Sequence, residues 1–356
     1  MKFLEYMSFY SVYVGDFYVR FPHLKIASFQ SQMDGFERDG FSGGHLFAPT
    51  MKHCGYDANY AVVDCYTSQL AWAEENDLKF DRTQLNQIAC RQIDTFKPEV
   101  LYIADPVAMD PQILKQCKWK PDLVIAWRAA PTSNTADWSA VDLMVSSHEG
   151  CREQAIRLGA TATEYFRPAF PNFVARTLKD EKKKWDVVFA GQIGESHKKR
   201  TELLTKLAEM SEFKHQDKSL CYFLHRHPAF SLDIAEHHIK PSVWGMDMFR
   251  TLKQGRIVVN NHIDMALGES QNMRIYEATG VGSFLITEHS DSVQDMFEPG
   301  KEIETYRNQG ELEDKIRYYL DHPKERENIA KRGQARCLRD HSLDVRAREL
   351  DCLIGK

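Results

Sequence analysis

This sequence lacks the local motifs by which several protein classes are recognised. Its eight cysteines form no C-x-x-C pair, so neither a disulfide framework nor a zinc site is indicated. They are Cys54, Cys65, Cys90, Cys117, Cys151, Cys221, Cys337 and Cys352. No apolar run approaches the roughly 20 residues that a membrane-spanning helix needs, and the first residues lack the features of a signal peptide. We therefore expect reduced thiols in a cytoplasmic protein without a transmembrane segment, which leaves peripheral contact with a membrane open.

Two further absences narrow the function. The formal net charge is −5, which argues against a general nucleic-acid-binding protein. No G-x-G-x-x-G follows a predicted strand, and no G-x-x-x-x-G-K-[ST] loop is present. The nearest glycine pattern, Gly191-x-x-Gly194, is short and weakly specific. A hydride-transfer enzyme or a nucleoside triphosphatase is therefore disfavoured.

The chain is long enough for two domains, because 356 residues exceed the usual size of one hydrophobic core. Short apolar runs alternate with helical stretches in both halves, which indicates parallel sheets covered on both faces. We expect an α/β fold with two doubly wound domains facing each other across a cleft. Residues 1–172 form the first domain, residues 173–184 a solvated lysine-rich linker, and residues 185–356 the second. The final helices are long enough to cross back to the first domain.

The first forty residues are rich in aromatic side chains and show little periodicity. Only the segment KFLEYM has the pattern of a strand, so we expect the rest of this region to be irregular. The aromatic residues are expected in a core or an interface and not on a surface that stacks bases.

Residues 269–288 are the most informative stretch of the sequence. Asn272 is placed to cap a short helix, the segment around Gly280 and Gly282 ends it, and a buried strand follows. This strand, loop and helix start is the geometry that α/β proteins use to hold phosphate-bearing ligands. Glu269 in the loop and Glu277, about two turns into the helix, could bind two parts of one ligand.

A second candidate segment runs from Gly191 to Arg200. Its glycines allow close approach of the backbone to a ligand, and His197, Lys198, Lys199 and Arg200 stand at a helix start. Positive charge at a helix start interacts unfavourably with the helix dipole, so these basic residues do not stabilise the helix. This favours a functional role for them. A ligand that bears phosphate groups would need such charge. We expect Arg200 and His197 to supply it, with Lys199 in reserve.

At these residues the sequence resembles a known family. Glu269-x7-Glu277, the phrase NMRIYEATGVGSFLIT, the later FEPGKEIETYRN and the closing HSLDVRAREL are similar to GT-B glycosyltransferases. The resemblance is to the retaining group-1 branch that includes CgeB-like spore-coat and polysaccharide-cluster proteins. It covers residues 185–353 and becomes weaker in the first half.

The resemblance implies a role for each carboxylate. Glu277 would accept hydrogen bonds from the ribose hydroxyls of a nucleoside diphosphate sugar, and Glu269 would contact the donor sugar or stabilise its positive charge. Carboxylates suit both roles, because they accept hydrogen bonds from vicinal hydroxyls. The backbone at Asn272 and Met273 would hold the distal phosphate and sugar. The segment from Pro241 to Gly245 would frame the base.

The acceptor side of the cleft is expected in the first domain. Gly43, Gly44 and His45 form one candidate group. Relatives often carry a histidine after a strand near the cleft, but here that position reads Arg128-Ala129-Ala130-Pro131. Arg128 and His148 are the further candidates, and a capping or packing role for His148 fits the sequence equally well.

Four histidines of the second half could in principle supply ligands for a metal ion. They are His225, His227, His237 and His238, and no cysteine or carboxylate stands at a recognised ligand spacing. We therefore expect no metal and no required cofactor.

The combined prediction is an enzyme. It is a glycosyltransferase of the hexosyltransferase type that moves a sugar from a UDP- or GDP-sugar to a saccharide or other hydroxyl acceptor, with retention. Two alternatives stay open: a GT-B-shaped epimerase or phosphorylase, and a non-catalytic sugar- or nucleotide-binding assembly protein. The oligomeric state does not follow from the sequence.

Overall fold

The computed structural model describes residues 1–79, 85–194, 197–214, 218–226, 233–262 and 272–355. The chain divides into two compact units. The first comprises Met1–Pro168 with Leu343–Lys356, and the second comprises Ala169–Ser342. Each unit is described separately.

The described part of the first unit contains six parallel strands in the order β2-β1-β3-β4-β5-β6. The strands are β1 Lys2–Met7, β2 Asp57–Val62, β3 Val100–Ile103, β4 Leu123–Trp127, β5 Leu143–Ser146 and β6 Ala162–Tyr165. The helices before residue 168 are α1 Ser11–Arg20, α2 Phe29–Asp39, α3 Ala48–Met51, α4 Tyr66–Glu75, α5 Leu85–Phe96 and α6 Glu149–Arg157. The connection from β1 runs to one side through β2 and then returns to β3 on the other side. The switch point of the sheet therefore lies between β1 and β3.

The second unit repeats this architecture with another strand order. Its described strands are β7 Trp185–Ile193, β8 Leu220–Arg226, β9 Ile239–Pro241, β10 Gly255–Asn260, β11 Phe284–Glu288 and β12 Glu304–Tyr306. They are parallel and lie in the order β12-β11-β10-β7-β8-β9. The switch point here lies between β7 and β10, which pair through Ile257 and Val187. The prediction of an α/β fold with two parallel sheets is confirmed.

Helices cover both faces of the second sheet. They are α7 Asn172–Thr177, α8 Lys198–Ala208, α9 Ser211–Lys214, α10 Gly245–Gln254, α11 Met273–Gly280, α12 Asp291–Gln294, α13 Gln309–Asp321 and α14 Pro323–Asp340. The last helix, α15 Leu343–Ile354, belongs to the first unit, where Asp351 accepts a hydrogen bond from Tyr56 Oη at 2.7 Å. Within the described residues, no helix is both long and apolar enough to cross a membrane.

The expectation of an irregular N-terminal region was wrong. Helices α1 and α2 occupy most of residues 11–39, and their aromatic side chains form a core in which Tyr13, Phe17 and Phe36 are buried. The rings of Phe17 and Phe36 stack with centroids 4.1 Å apart. Aromatic residues have low intrinsic helix propensity, and here tertiary packing overrides it. The placement of the aromatic residues in a core was correct.

The lysine-rich segment before β7 is more structured than a solvated linker. Helix α7 opens it, and Lys182, Lys183 and Lys184 are all exposed as expected. Lys183, however, donates from Nζ to the carbonyl oxygens of Lys253 at 2.8 Å and Gly255 at 2.7 Å. The lysine-rich segment is therefore only partly a solvated linker.

Candidate functional site

Arg200 ties together the two strands that flank the switch point of the second sheet. It lies in the first turn of α8 and is only 8% exposed. Its guanidinium donates from Nη1 to the carbonyl oxygen of Gln192 at 2.7 Å and from Nη2 to that of Asn261 at 3.0 Å. It also lies over the ring of Phe189, with 5.6 Å between Cζ and the ring centroid. The positive charge is therefore fixed at the place where open α/β sheets bind ligands.

The other residues of the predicted basic segment lie beside Arg200. His197 is buried immediately before α8, and its backbone N–H donates to the Gly194 carbonyl oxygen at 3.0 Å. Lys199 is exposed on the first turn of α8. Gly194 lies in the bend after the strand, whereas Gly191 pairs with Leu224 inside β7. The prediction of a loop starting at Gly191 was wrong by three residues, because β7 extends through Ile193.

A network of polar side chains follows β10 at the same sheet edge. Glu288 Oε2 accepts hydrogen bonds from Asn261 Nδ2 at 2.9 Å and from the His262 backbone N–H at 3.2 Å. The His262 ring contacts the Glu288 carbonyl oxygen through Nε2 at 3.2 Å and Asn272 Nδ2 through Nδ1 at 3.3 Å. Burial lowers the pKa of His262 to about 4. The imidazole is therefore neutral at pH 7, with Nε2 as donor and Nδ1 as acceptor.

Sequence reasoning missed this network. The run Asn260-Asn261-His262 directly follows a buried strand, and Glu288 ends the next one. Polar residues at the carboxyl ends of adjacent parallel strands were the available signal.

Asn272 occupies the N-cap position of α11 as expected, but its side chain makes no capping hydrogen bond. It donates instead from Nδ2 to Asn260 Oδ1 at 3.2 Å. Met273 is the first residue of the helix. The side chain of Asn272 thus joins the polar network, which leaves the first backbone N–H groups of α11 without a cap from this residue.

Glu277 lies in the second turn of α11, nearer its start than the two turns predicted. Its Oε2 is 2.7 Å from Nη1 of Arg274, and the two side chains are 12% and 17% exposed. Burial raises the pKa of Glu277, and the charge of Arg274 opposes this increase. Arg274 also contacts the sulfur of Met248 in α10. Glu277 is therefore a largely buried, paired carboxylate and not a residue of a solvated helix face.

Two further predicted positions complete this part of the chain. Gly245 begins α10 after the short strand β9 and has a φ of 51°, a left-handed conformation that glycine adopts without strain. Glu269 lies outside the described residues, as do residues 265–271 of the loop that precedes α11.

The candidate residues of the first unit lie near the carboxyl ends of its strands. Gly43, Gly44 and His45 form a buried 3₁₀ turn. The His45 ring packs against Trp127 at the end of β4, with centroids 4.1 Å apart. Burial lowers the pKa of His45 to about 4. This imidazole is neutral at pH 7.

Arg128 and His148 follow the next two strand ends. Arg128 Nη1 lies 3.3 Å from Asp105 Oδ1, and its Nε donates to the Ala130 carbonyl oxygen at 2.9 Å. The backbone N–H of His148 donates to Ser146 Oγ at 3.1 Å, immediately before α6. Asp105, which the sequence reading did not single out, is the carboxylate that holds Arg128 at this edge.

The histidines weighed as metal ligands are not grouped for coordination. Among the described residues, no three His, Cys, Asp or Glu side chains form a metal-binding cluster. The rings of His237 and His238 lie 3.9 Å apart, and His238 Nδ1 contacts the Leu220 carbonyl oxygen at 3.0 Å. His225 packs against Trp244 at 5.4 Å, and His227 lies outside the described residues.

Comparison with known proteins identifies the fold. A family model described as "Glycosyl transferase-like" matches residues 178–351, which include nearly all of the second unit. HepE from Anabaena, solved with UDP-glucose, aligns over 100% of this chain and 99% of its own, with a TM-score of 0.62 at 11% identity. A glycosyltransferase from Rickettsia africae aligns over 99% and 97%, with a TM-score of 0.58 at 10% identity. No curated protein matches the sequence.

A third structure agrees on the fold. TarM aligns over 76% of this chain and 58% of its own, with a TM-score of 0.52 at 10% identity. The protein therefore has the GT-B glycosyltransferase fold, with one six-stranded parallel sheet in the described part of each unit. The narrower assignment to the CgeB-like branch stays a prediction.

Proposed function

We propose that the protein is a glycosyltransferase that moves a sugar from a nucleoside diphosphate sugar, a UDP- or GDP-sugar, to a hydroxyl acceptor. The observation that carries the proposal is the second unit's switch point. There the fixed guanidinium of Arg200 and the start of α11 converge within the segment that matches the glycosyltransferase-like family. The solved neighbours with UDP or UDP-glucose bound support the same donor class.

The diphosphate of the donor would lie at this edge. Helix starts carry positive partial charge, and both α8 and α11 begin here. His197 and Lys199 stand at the first of these helix starts and would contact phosphate oxygens, while Gly191 and Gly194 leave room for the backbone to approach. Arg200 would act through its charge, because its guanidinium holds two carbonyl groups in place.

The nucleoside would bind beside α11, farther along the helix than the diphosphate at its start. Glu277 would accept hydrogen bonds from the ribose hydroxyls. Burial raises the pKa of this carboxyl, and the charge of Arg274 opposes the increase. Gly245 would frame the base. Asn272 and Met273 would present backbone N–H groups to the distal phosphate and sugar.

In the proposed reaction the bond between the anomeric carbon and the diphosphate oxygen breaks, and its electron pair leaves with the diphosphate. The acceptor oxygen forms the new bond to the anomeric carbon, and its proton passes to the departing phosphate oxygen. Charge grows on the diphosphate as the bond breaks, so the fixed positive groups favour the transition state. Glu269 would stabilise positive charge on the sugar. Retention of configuration is part of this proposal.

The acceptor would be a neutral, hydroxyl-rich molecule held by the first unit. His45 is uncharged at pH 7 and packs against an aromatic ring, a pairing suited to a sugar face. Arg128 and His148 stand at the neighbouring strand ends, and the turn at Gly43 and Gly44 carries His45.

The test combines binding with turnover. Thermal shift with UDP-, GDP- and ADP-sugars should single out one nucleotide, because a ligand of the folded state raises its apparent stability. Release of that diphosphate should then depend on an added saccharide acceptor. Free epimerised donor would indicate an epimerase, dependence on inorganic phosphate a phosphorylase, and tight binding without turnover a binding protein. If no nucleotide binds, the proposal fails.

A further inference from the structure

A second charged cavity lies at the other end of the second sheet. Its volume is about 150 Å³. It is lined near the amino-terminal ends of the strands by Arg256 in β10 and Phe284 in β11. Lys183, which precedes β7, and one face of α14 close it.

The cavity is lined by four cationic side chains: Lys183, Arg256, Arg326 and Lys331. Among the described lining residues the carboxylate is Glu327, and Arg256 pairs outside the lining with Asp186. Like charges gathered in one concave space repel each other, and the repulsion grows as water is excluded. The arrangement therefore leaves positive charge that an anion would neutralise.

Arg326 shows this excess most clearly. It is 6% exposed, and its Nη1 donates to the Tyr319 carbonyl oxygen at 2.6 Å. The nearest carboxylate oxygen in an ion pair with it, from Glu327, is 4.0 Å away, at the outer limit of such a pair. Burial lowers the pKa of Arg326 and the charge of Arg256 adds to this effect, while the carboxylates of Glu327 and Asp186 oppose it without cancelling it. A buried guanidinium with so weak a counter-ion is well suited to an anionic ligand.

Lys183 lies beside the cavity, but its amino group already donates hydrogen bonds within the protein. Its Nζ contacts the carbonyl oxygens of Lys253 and Gly255 and Ser283 Oγ. Desolvation and the neighbouring cations Lys253 and Arg326 lower its pKa to about 7. Its amino group is thus held in place beside the cavity by backbone groups, independently of any ligand, and it is largely protonated only below about pH 7.

We propose that this cavity binds a phosphate group, as a second anion site separate from the nucleotide. Its small volume fits a single phosphate better than a peptide, and planar guanidinium groups match the geometry of phosphate oxygens. Strand β10 has six residues, so its two ends are about 20 Å apart at roughly 3.3 Å per residue. The site is therefore too far from Arg200 to share one diphosphate with it.

The source of the phosphate is either a free small molecule or a lipid headgroup. Isothermal titration of inorganic phosphate at constant ionic strength tests the first. Co-sedimentation with phosphatidylcholine vesicles that contain phosphatidic acid, against vesicles of phosphatidylcholine alone, tests the second. Binding in either arm supports the proposal and identifies the source, and binding in neither overturns it.

Variants separate this site from a general effect of charge. Arg256→Gln/Lys331→Gln removes two exposed lining cations, and we expect phosphate affinity to fall about tenfold or more. Lys324→Gln/Arg332→Gln removes the same charge from exposed positions of α14 outside the lining and should leave affinity within about twofold. Equal losses in both double variants would contradict the proposal.

A Lys199→Gln variant distinguishes the two sites, because Lys199 is the exposed cation proposed to contact the phosphates of the nucleotide. It should weaken nucleotide binding and keep phosphate binding, while Arg256→Gln/Lys331→Gln should do the reverse. Loss of phosphate binding in Lys199→Gln would place the phosphate in the nucleotide site and would contradict this inference alone. Failure to bind any nucleotide, with phosphate binding intact, would overturn only the proposed transferase function.

Discussion

The switch points of the two sheets occupy the same topological position and carry opposite chemistry. In the second unit the buried guanidinium of Arg200 joins the ends of β7 and β10. In the first unit the carboxylates of Asp64 and Asp105 follow β2 and β3, and Glu5 is buried within β1. A positive edge suits a diphosphate, and an edge without excess positive charge suits a neutral sugar. Under the proposed function, one architecture would bind two kinds of ligand through a few strand-end residues.

Glu5 illustrates how strongly burial acts in the first unit. Its Oε2 accepts hydrogen bonds from the N–H groups of Phe47 at 2.8 Å and Ala48 at 2.6 Å. Burial still raises its pKa to about 8, and these two hydrogen bonds only partly oppose the shift. Glu5 is therefore mostly protonated at pH 7.

The largest effect is expected when the central cation of the second unit is removed. Arg200→Met leaves the carbonyl groups of Gln192 and Asn261 without their charged donor. We expect a loss of about 3 to 5 kcal/mol in the free energy of unfolding, measured by urea denaturation. The matched change in the first unit, Arg128→Met, should cost about 1 kcal/mol or less, because that ion pair is partly exposed. If the two variants lose similar amounts of unfolding free energy, the proposed difference between the two sheet edges is contradicted.

The next effect concerns Glu5. Its folded pKa lies above its unfolded value, so its contribution to stability is complete below about pH 4.5 and is lost as the pH rises through 8. Glu5→Gln keeps the acceptor oxygen and stays neutral. The variant should therefore be more stable than the parent by on the order of 3 kcal/mol at pH 7 and equal to it at pH 4. Urea denaturation at the two pH values measures this, and a constant difference would contradict the reasoning.

A smaller effect is expected from two of the buried histidines, His45 in the first unit and His262 in the second. The folded pKa of His45 and of His262 is about 4, below the ordinary value of 6.5, so the unfolded chain binds protons first as the pH falls. Each histidine should contribute stability that is present above pH 6.5 and falls by about 2 to 3 kcal/mol on acidification to pH 4.5. His45→Asn and His262→Asn should each reduce this slope in urea denaturation. If only one of them does, the two sites differ in burial.

The smallest effect is expected for Glu277→Gln, and it concerns the free energy of nucleotide binding. The amide loses the charge that would hold the ribose hydroxyls, so nucleotide affinity should fall about 10- to 100-fold. Glu298→Gln is the matched control, because Glu298 also pairs with a cation three residues away but is 58% exposed. Calorimetric titration with the nucleotide found by screening compares the two. Equal affinities for both variants would remove Glu277 from the donor site.

Much of the fold could be predicted because each strand is short, apolar and bounded by polar residues. The runs that became β3, β4, β5, β7 and β10 were all found in this way. Strands β6 and β9 were missed, and so was β12, which is buried but has only three residues. Every residue of β6 is at least partly exposed, and β9 has three residues, none buried, so neither gives the signal of a buried strand. Helix α1 was missed because Tyr13 and Phe17 suggest a strand as readily as a helix.

The candidate site was predicted less completely, for a different reason. Glu277, Asn272 and Arg200 could be named because they stand at helix starts that the local pattern reveals. Their partners could not be named: Arg274 is close in sequence, but Asn261 and Glu288 reach the site only when β10 and β11 pair. Glu288 ends a strand that was recognised, yet nothing in its own neighbourhood indicates that its carboxylate binds the backbone after β10.

The sequence by itself determined the alternation of strands and helices, and with it two parallel sheets and the positions of the helix starts. Periodicity and turn residues are local, so one chain is enough to read them. The tertiary structure decided which charges are buried, and therefore that Glu5 is protonated, His45 and His262 are neutral, and Arg200 is fixed between two strands. Desolvation depends on residues distant in the chain, and it becomes defined only when the sheet and its helices are packed.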